Sequence, residues 1–190
     1  MAGSSDTSRR ILDIAERLVQ TRGFNGFSYA DIAGPLRLTK ASLHYHFPAK
    51  AVLGKRLIER YEGNFLAALG AIDRTSTDSR QKLRRYVAIY ADVLRDNRMC
   101  LCGMLAAEAA TLPKLMRENL KRFFDENERW LGAVLEEGRK AKQLSFTGAA
   151  HEVARALVGS LEGAMMLARS YGEVSRFKVV ADRLLAELSA

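Results

Sequence analysis

Apolar residues recur at the spacing of an α-helix along almost the whole chain, and this periodicity constrains the fold more than any other feature. The first such segment places apolar residues at i, i+3, i+4, i+7 and i+8, namely Ile11, Ile14, Ala15, Leu18 and Val19. No run of alternating β-branched residues bounded by hairpin turns competes with this pattern. Prolines number only three in 190 residues, so long helices are permitted nearly everywhere. The sequence therefore predicts an all-α protein.

The periodic segments and their stop signals predict about nine helices. Thr7 and Ser8 are the expected caps of the first helix, and Gly23 is expected to end it. Beyond Pro48 the segments lengthen, and the predicted helices cover residues 50–73, 80–97, 113–142, 149–170 and 174–188. Short helices at the start of the chain are therefore followed by a body of long ones.

The second and third helices are separated by a tight turn. Ser28 and Asp31 have the spacing of a capping box that opens the second helix, and Thr39 is the predicted cap of the third. Pro48 ends the third helix after about two turns. Pro35 lies inside the second helix, where proline costs about 3 kcal/mol, so we expect that helix to be shortened or kinked. Three short helices with this turn are typical of a helix-turn-helix head.

Basic charge is concentrated in that head. The chain carries 30 Lys and Arg against 22 Asp and Glu, a net charge of +8. Residues 1–60 hold ten basic and five acidic side chains, which is five of the eight net charges. This distribution favours a phosphate-binding head on a nearly neutral body, although a solvated basic surface would show it as well.

The third helix has two distinct faces. Leu43 and Phe47 are predicted to point to the core. The opposite face carries a cation, a small residue and two rings with hydrogen-bonding atoms, namely Lys40, Ala41, His44 and Tyr45. Such a face suits insertion into the major groove of DNA. Thr39 and Ser42 add hydroxyl groups near the helix N-terminus, where backbone N–H groups favour phosphate.

Residues 11–58 resemble the DNA-binding head of the TetR family of bacterial one-component repressors. The matching features are Gly23-Phe24, Ser28 with Asp31-Ile32-Ala33, Leu38-Thr39, the core from Leu43 to Phe47, and Lys50. The resemblance implies a homodimer that binds a pseudo-palindromic operator and is released by a small-molecule effector. It also implies a helix-turn-helix DNA-binding domain over residues 1–50 and an effector-binding and dimerisation domain over residues 51–190.

Ten residues form the predicted DNA-binding set, namely Ser28, Tyr29, Thr39, Lys40, Ala41, Ser42, His44, Tyr45, His46 and Lys50. The resemblance implies that Lys50 contacts phosphate. Tyr29 is expected to bury its ring and expose its hydroxyl group. His46 has an alternative role as a packed histidine beneath the first or fourth helix. Ala41 and His44 stand where the family usually has Gly and Tyr, so its base preference is not transferred.

Polarizable side chains in the body are candidates for an effector cavity, although any one of them can be plain core. The predicted ligand-binding residues are Tyr61, Phe65, Tyr86, Tyr90, Cys102, Met104, Glu108, Phe123 and Met165. Glu108 lies among small and apolar neighbours, so its carboxylate needs a partner or a shifted pKa. A buried ion pair with Arg84 or Arg169 is the alternative to a ligand contact.

The last two helices are predicted to form the homodimer contact. Their apolar residues exceed what one side of a monomer core would use, and they include Val153, Ala154, Leu157, Val158, Leu161, Ala164, Met165, Phe177, Val180, Leu184, Leu185 and Leu188. Small residues at 159, 160 and 163 would allow close approach. Paired with their two-fold mates, these helices would make a four-helix bundle.

Cys100 and Cys102 lack the further cysteines or histidines that a zinc site needs, so no metal and no cofactor is predicted. Nearby Arg95 and Arg98 could depress a thiol pKa, which leaves an electrophile- or redox-responsive regulator as an alternative. A non-specific architectural DNA binder is a second alternative. No catalytic constellation is recognisable, so an enzyme is not expected. Without an apolar leader or spanning segment, the predicted location is the cytoplasm.

Overall fold

A computed structural model describes residues 2–188 of the chain, with side chains described from Ser5 onward. These residues form nine α-helices, which confirms the predicted all-α class. In chain order the helices are α1 Ala2–Arg22, α2 Tyr29–Leu36, α3 Lys40–His46, α4 Lys50–Thr75, α5 Ser79–Arg95, α6 Leu101–Ala107, α7 Lys114–Lys140, α8 Ala150–Tyr171 and α9 Val174–Glu187.

The helices separate into two compact units. The first unit comprises the chain up to Gly63 together with Leu101–Phe123, and the second comprises Asn64–Cys100 and the chain from Phe124 onward. α4 and α7 therefore contribute residues to both units. This division is one of packing; the functional boundary between residues 50 and 51 remains a prediction.

α1 begins earlier than the sequence pattern suggested. It starts at Ala2, so the predicted start at Thr7 and Ser8 is wrong. An ion pair between Arg9 Nη2 and Asp6 Oδ1, at 2.5 Å and i,i+3 spacing, supports the additional turns. The predicted stop is confirmed, because Gly23 follows the helix with a φ of +82°, which costs a residue with a Cβ atom extra energy.

The first unit has an apolar centre built from the short helices. Ile11 on α1, Ile32 on α2 and Leu43 on α3 are fully buried there. α2 keeps Pro35 in its last turn and ends at Arg37, whose left-handed φ of 55° closes the helix. The helix is thus short, as expected, and the turn between α2 and α3 follows directly.

The second unit packs α8 against α9, and both against α5. Much of the apolar face predicted for the dimer lies in this core, which corrects the prediction for Ala154, Leu157, Val158, Leu161, Ala164, Met165, Phe177 and Leu188. The periodic stripe was recognised, but it serves the protomer. A different face of the same two helices remains exposed.

Among the residues that the structure describes, no helix has both the length and the apolar composition needed to cross a membrane.

Candidate nucleic-acid interface and effector site

α3 presents the predicted face to solvent. Lys40, Ala41 and His44 are exposed, and Tyr45 has 80% of its surface exposed. Leu43, on the opposite side, is fully buried. The two-faced arrangement predicted from the helical spacing is confirmed. A cation and two rings with polar atoms are therefore available to reach base edges in a groove.

Side-chain caps fix the starts of α2 and α3. Thr39 Oγ1 accepts a hydrogen bond from the Ser42 N–H at 3.1 Å. Asp31 Oδ2 accepts from the N–H and from the hydroxyl of Ser28, each at 2.8 Å, which confirms the capping box. These bonds, led by the one from the backbone of Ser28, lower the pKa of Asp31. Ser28 and Thr39 are exposed, and their phosphate contacts remain predictions.

Tyr29 does not expose its hydroxyl group. That group donates to the Phe47 carbonyl oxygen at 2.7 Å in a buried contact. Burial raises the pKa of Tyr29. The predicted exposed hydroxyl is therefore wrong, because the end of α3 packs over it. Tyr29 ties α2 to α3 rather than offering a phosphate contact.

The two histidines at 44 and 46 differ in their surroundings. His46 Nδ1 lies 3.0 Å from Ser8 Oγ, a contact that links α3 to α1 and fits the packed alternative. His44 Nδ1 lies 3.2 Å from the Pro48 carbonyl oxygen. A carbonyl oxygen only accepts, so His44 Nδ1 carries the hydrogen of this bond. The exposed His44 ring thus has its outer nitrogen, Nε2, available for a ligand.

Lys50 closes the loop that follows α1. Its Nζ donates to the carbonyl oxygen of Phe24 at 2.5 Å and to that of Phe27. The same ammonium lies 4.7 Å and 4.1 Å from the centres of the Phe24 and Phe27 rings. Burial lowers the pKa of Lys50. The structure therefore corrects the predicted phosphate contact: this side chain serves the loop.

A shallow groove of about 410 Å³ runs beside α3. Its lining consists of Phe27, Ser28, Tyr29, Ala30, Lys40, His44 and Lys50. Two lysines and a histidine contribute to this lining and no acidic residue does, so the groove favours an anionic partner such as a phosphate group.

Glu108, after α6, holds the same loop from the other side. Its Oε2 accepts a hydrogen bond from the Phe24 N–H at 2.6 Å. Both carboxylate oxygens lie 3.3 Å from the backbone nitrogen of Asn25. A Cβ atom at Gly23 would come within 2.6 Å of Glu108 Oε1, so the glycine permits this approach. Thr111 Oγ1 accepts from Asn25 Nδ2 at 2.8 Å. The carboxylate is thus occupied, which corrects its predicted role as a ligand-facing group.

The alternative prediction, an ion pair between Glu108 and an arginine, is also wrong. Backbone N–H groups, rather than Arg84 or Arg169, are the partners that the structure gives to this carboxylate. The sequence signalled that a partner was needed. It could not signal a loop 83 residues earlier in the chain.

Three of the predicted ligand-binding residues come together in the second unit. Tyr86 and Tyr90 are buried with hydroxyl oxygens 3.0 Å apart, and the Phe65 ring stands edge-on to both at 6.2 Å and 6.4 Å. Trp130 stacks on Tyr86 at 5.7 Å. Burial raises the pKa of both tyrosines, so their hydroxyl groups stay protonated. Asn127, which sequence reasoning missed, bonds to both hydroxyls.

Glu162 on α8 is a second residue that sequence reasoning missed. Both of its carboxylate oxygens are buried, and neither has a hydrogen-bond partner within residues 2–188. Burial raises its pKa to about 7, which the neighbouring Cys100 thiol partly opposes. The available signal was that Glu162 is the sole charged residue between Arg155 and Arg169 in the sequence. We call Phe65, Tyr86, Tyr90, Asn127, Trp130 and Glu162 the aromatic–carboxylate cluster.

The other predicted ligand-binding residues are dispersed. Tyr61 and Phe123 pair in the first unit, with ring centres 5.8 Å apart. Cys102 and Met104 lie on α6, also in the first unit, and Cys102 is fully buried. Met165 is fully buried on α8 in the second unit.

Two family descriptions match the chain. "Bacterial regulatory proteins, tetR family" matches residues 11–57, and "Tetracyclin repressor-like, C-terminal domain" matches residues 79–184. The second match alone covers more than half of the chain. The chain belongs to the TetR family. The resemblance stated for residues 11–58 is thereby confirmed and extends to the body.

A solved structure and two curated relatives match most of the chain. A transcriptional regulator of the TetR family from Agrobacterium tumefaciens is 30% identical, with 98% of this chain and 100% of that chain covered and a TM-score of 0.95. The nucleoid occlusion factor SlmA of Vibrio campbellii is 25% identical over 87% of this chain and 86% of its own. The transcriptional repressor NemR of Escherichia coli is 25% identical over 86% and 84%.

Membership in the TetR family confirms the predicted function class. The protein is a DNA-binding transcriptional regulator that responds to a ligand. Membership in the family favours neither the architectural DNA binder nor the thiol-based regulator. The exposed face of α3 lies in the head, and the aromatic–carboxylate cluster lies in the second unit.

Proposed function

We propose that the protein is a repressor that binds operator DNA as a homodimer and leaves the DNA when a small-molecule effector binds. The observation that carries the proposal is the outer face of α3, where Lys40, His44 and Tyr45 are exposed on a helix that is held at both ends. Caps and the Tyr29 hydrogen bond keep this helix rigid, and a rigid helix loses little freedom on entering a groove. The proposed site of action is the cytoplasm, where the chromosome lies.

An exposed apolar face supports the homodimer. On α8, Gly159, Ser160, Gly163, Met166 and Leu167 follow one another at helical spacing and face away from the core. Met166 is 54% and Leu167 61% exposed. Small residues let two helices approach closely, and the large apolar side chains gain from being buried.

α9 and the end of α8 also carry exposed apolar residues. Val179 has 69% of its surface exposed, and Tyr171 at the end of α8 has 60%. An apolar surface of this kind is typical of a protein–protein contact. Binding of a homodimer to a pseudo-palindrome would require its two α3 helices to reach successive turns of B-DNA, about 34 Å apart.

The proposed effector site lies in the second unit. Its buried tyrosines, joined to Asn127 and in ring contact with Phe65 and Trp130, supply apolar surface with few polar groups, which is the lining expected of a small-molecule site. An effector releases DNA only if it binds the DNA-free state more tightly than the DNA-bound state. The proposal assigns no chemical reaction to the protein.

Selection of bound DNA from a random pool tests the first part. We expect an enriched pseudo-palindrome, and we expect Lys40→Ala to weaken its binding about tenfold. Lys140→Ala is the matched control, because it removes an exposed positive charge from the far end of α7. A pool without any enriched sequence, or equal losses in the two variants, would overturn the operator-binding role.

Sedimentation tests the homodimer. Leu167→Glu places a charge in the proposed contact and should give monomers with greatly weakened operator binding. Glu118→Gln changes a charged residue on α7 outside the proposed contact and should remain dimeric. A dimeric Leu167→Glu variant with unchanged sedimentation would exclude α8 as the contact.

A further inference from the structure

The polar groups of the aromatic–carboxylate cluster form a closed ring of hydrogen bonds. The Tyr86 hydroxyl donates to Asn127 Oδ1 at 2.8 Å, and Asn127 Nδ2 donates to the Tyr90 oxygen at 3.0 Å. The remaining 3.0 Å contact joins the two hydroxyl groups, so the Tyr90 hydrogen points to the Tyr86 oxygen. Both hydroxyl hydrogens are thereby used within the ring.

The nearby indole is likewise committed. Trp130 Nε1 donates to Asp73 Oδ2 at 2.8 Å. Lys82 Nζ lies 2.9 Å from Asp73 Oδ1, so this cation is also paired. The donors of Tyr86, Tyr90, Trp130 and Lys82 are therefore committed to partners other than Glu162.

Glu162 completes the cluster as an acceptor without a strong donor. Its two oxygens are buried and have no hydrogen-bond partner among the described residues. The helix that carries it, α8, packs against α5, which carries both tyrosines, and after burial the charge of Glu162 further raises the pKa of Tyr86 and Tyr90. A buried carboxylate is unfavourable unless a cation or a strong donor accompanies it. The neighbouring Cys100 thiol is only a weak donor.

The aromatic rings of the cluster also favour a positively charged group. Rings present negative π faces, which attract cations. Four such rings are present, and each lies 5.3 to 6.4 Å from at least one other, namely Phe65, Tyr86, Tyr90 and Trp130. Carboxylate and rings thus require one and the same complement, a positively charged group with an apolar body.

We propose that the aromatic–carboxylate cluster binds a small organic ammonium ion, with Glu162 opposite the positive nitrogen and the rings around its carbon substituents. The naming of this ion as the effector rests on the proposed function. An anionic ligand is disfavoured, because it would face a carboxylate, and a neutral one would leave the charge of Glu162 unbalanced.

Calorimetry and thermal unfolding of the full-length protein at pH 8, without DNA, test the binding. The probes are methylammonium, phenethylammonium and benzyltrimethylammonium, compared with 2-phenylethanol and phenylacetate. We expect at least one of the three cations to bind and to raise the unfolding temperature, and the alcohol and the anion to bind about tenfold more weakly or not at all.

Glu162→Gln removes the charge with little change of shape. It should weaken binding of the cation about tenfold and leave any binding of 2-phenylethanol unchanged. Glu126→Gln is the matched control, because that carboxylate lies on the second-unit part of α7 and is paired with Arg129. If no cation is preferred over the alcohol, or if both variants bind the cation equally, the proposal is wrong.

The operator assay separates this proposal from the proposed function. Specific DNA binding without any cation preference would overturn the ammonium site and leave the repressor intact. A cation that binds through Glu162 without altering operator affinity would support the site and exclude its role as effector site. Absence of specific DNA binding would refute the repressor and leave the ammonium test valid.

Discussion

Two glutamates on different units of this protein differ in their hydrogen-bond partners. Glu108, in the first unit, accepts hydrogen bonds from two backbone N–H groups of the loop after α1. Glu162, in the second unit, has buried oxygens without a hydrogen-bond partner among residues 2–188. The first carboxylate holds a loop in place. The second is a buried acceptor that still lacks a strong donor, which is the property expected of a group that binds a ligand.

The comparison shows that a buried charge is informative only together with its partners. Glu108 was the stronger candidate from sequence, because its neighbours are all small or apolar. Its 2.6 Å bond to the Phe24 N–H removes it from that role. Glu162 is the sole charged residue between Arg155 and Arg169, but only the packing shows that both of its oxygens are buried.

Glu108→Ala should have the largest effect on stability. Two loop N–H groups lose a charged acceptor, and we expect a loss of about 3–4 kcal/mol in the free energy of unfolding. Urea unfolding measures it. Glu108→Gln keeps one acceptor oxygen and should lose less, while Glu118→Ala on α7, an exposed residue near Lys114, should change little. An unchanged free energy of unfolding for Glu108→Ala would show that the bonds of Glu108 to the loop do not stabilise the protein.

Glu162→Gln should instead stabilise the ligand-free protein at pH 8. The folded-state pKa is about 7 against an ordinary 4.5, so folding takes up a proton between these values. The free energy of unfolding therefore falls as the pH rises through this window, by about 3 kcal/mol in total, and the loss is complete above pH 7.

The glutamine variant lacks this loss, so its advantage should be greatest at pH 8 and absent below pH 4.5. Urea unfolding at several pH values measures the difference, with Glu126→Gln as the control. Parallel pH profiles for the wild type and Glu162→Gln would show that Glu162 titrates normally.

The smallest effect concerns two lysines of the first unit. Lys40 is exposed on α3, whereas Lys50 donates to two carbonyl oxygens of the loop after α1. Lys40→Met should reduce the slope of log K for operator binding against log salt by about 0.9, the value for one phosphate contact. Lys50→Met should leave the slope unchanged and lower stability. Equal slope changes in both variants would restore Lys50 as a phosphate contact.

Local signals predicted most of the head. Gly23 ended α1, Ser28 and Asp31 formed the capping box, and Thr39 capped α3, because each of these features depends on residues within a few positions. The exposed face of α3 followed from the same periodicity. Where the prediction failed, at Tyr29 and Lys50, the partner was a backbone carbonyl 18 to 26 residues away.

The body shows the limit of periodicity. An apolar stripe on α8 predicts that one face is covered, but it does not say by what. α9 and α5 cover that stripe within the protomer, which left the proposed dimer face to Met166, Leu167 and Val179. The sequence marked the helices correctly, but most of the apolar residues that it assigned to the twin subunit lie in the core of the protomer.

The sequence by itself determined the all-α class, the helix-turn-helix and the family, because helical periodicity, caps and turns are properties of neighbouring residues. Only the tertiary structure decided which polar groups are already satisfied. Hydrogen bonds such as Glu108 to Phe24, or Asn127 to Tyr86, join residues 41 to 84 positions apart. No local pattern encodes such pairs, since they depend on how helices pack, and that packing leaves Glu162 without a strong donor among residues 2–188.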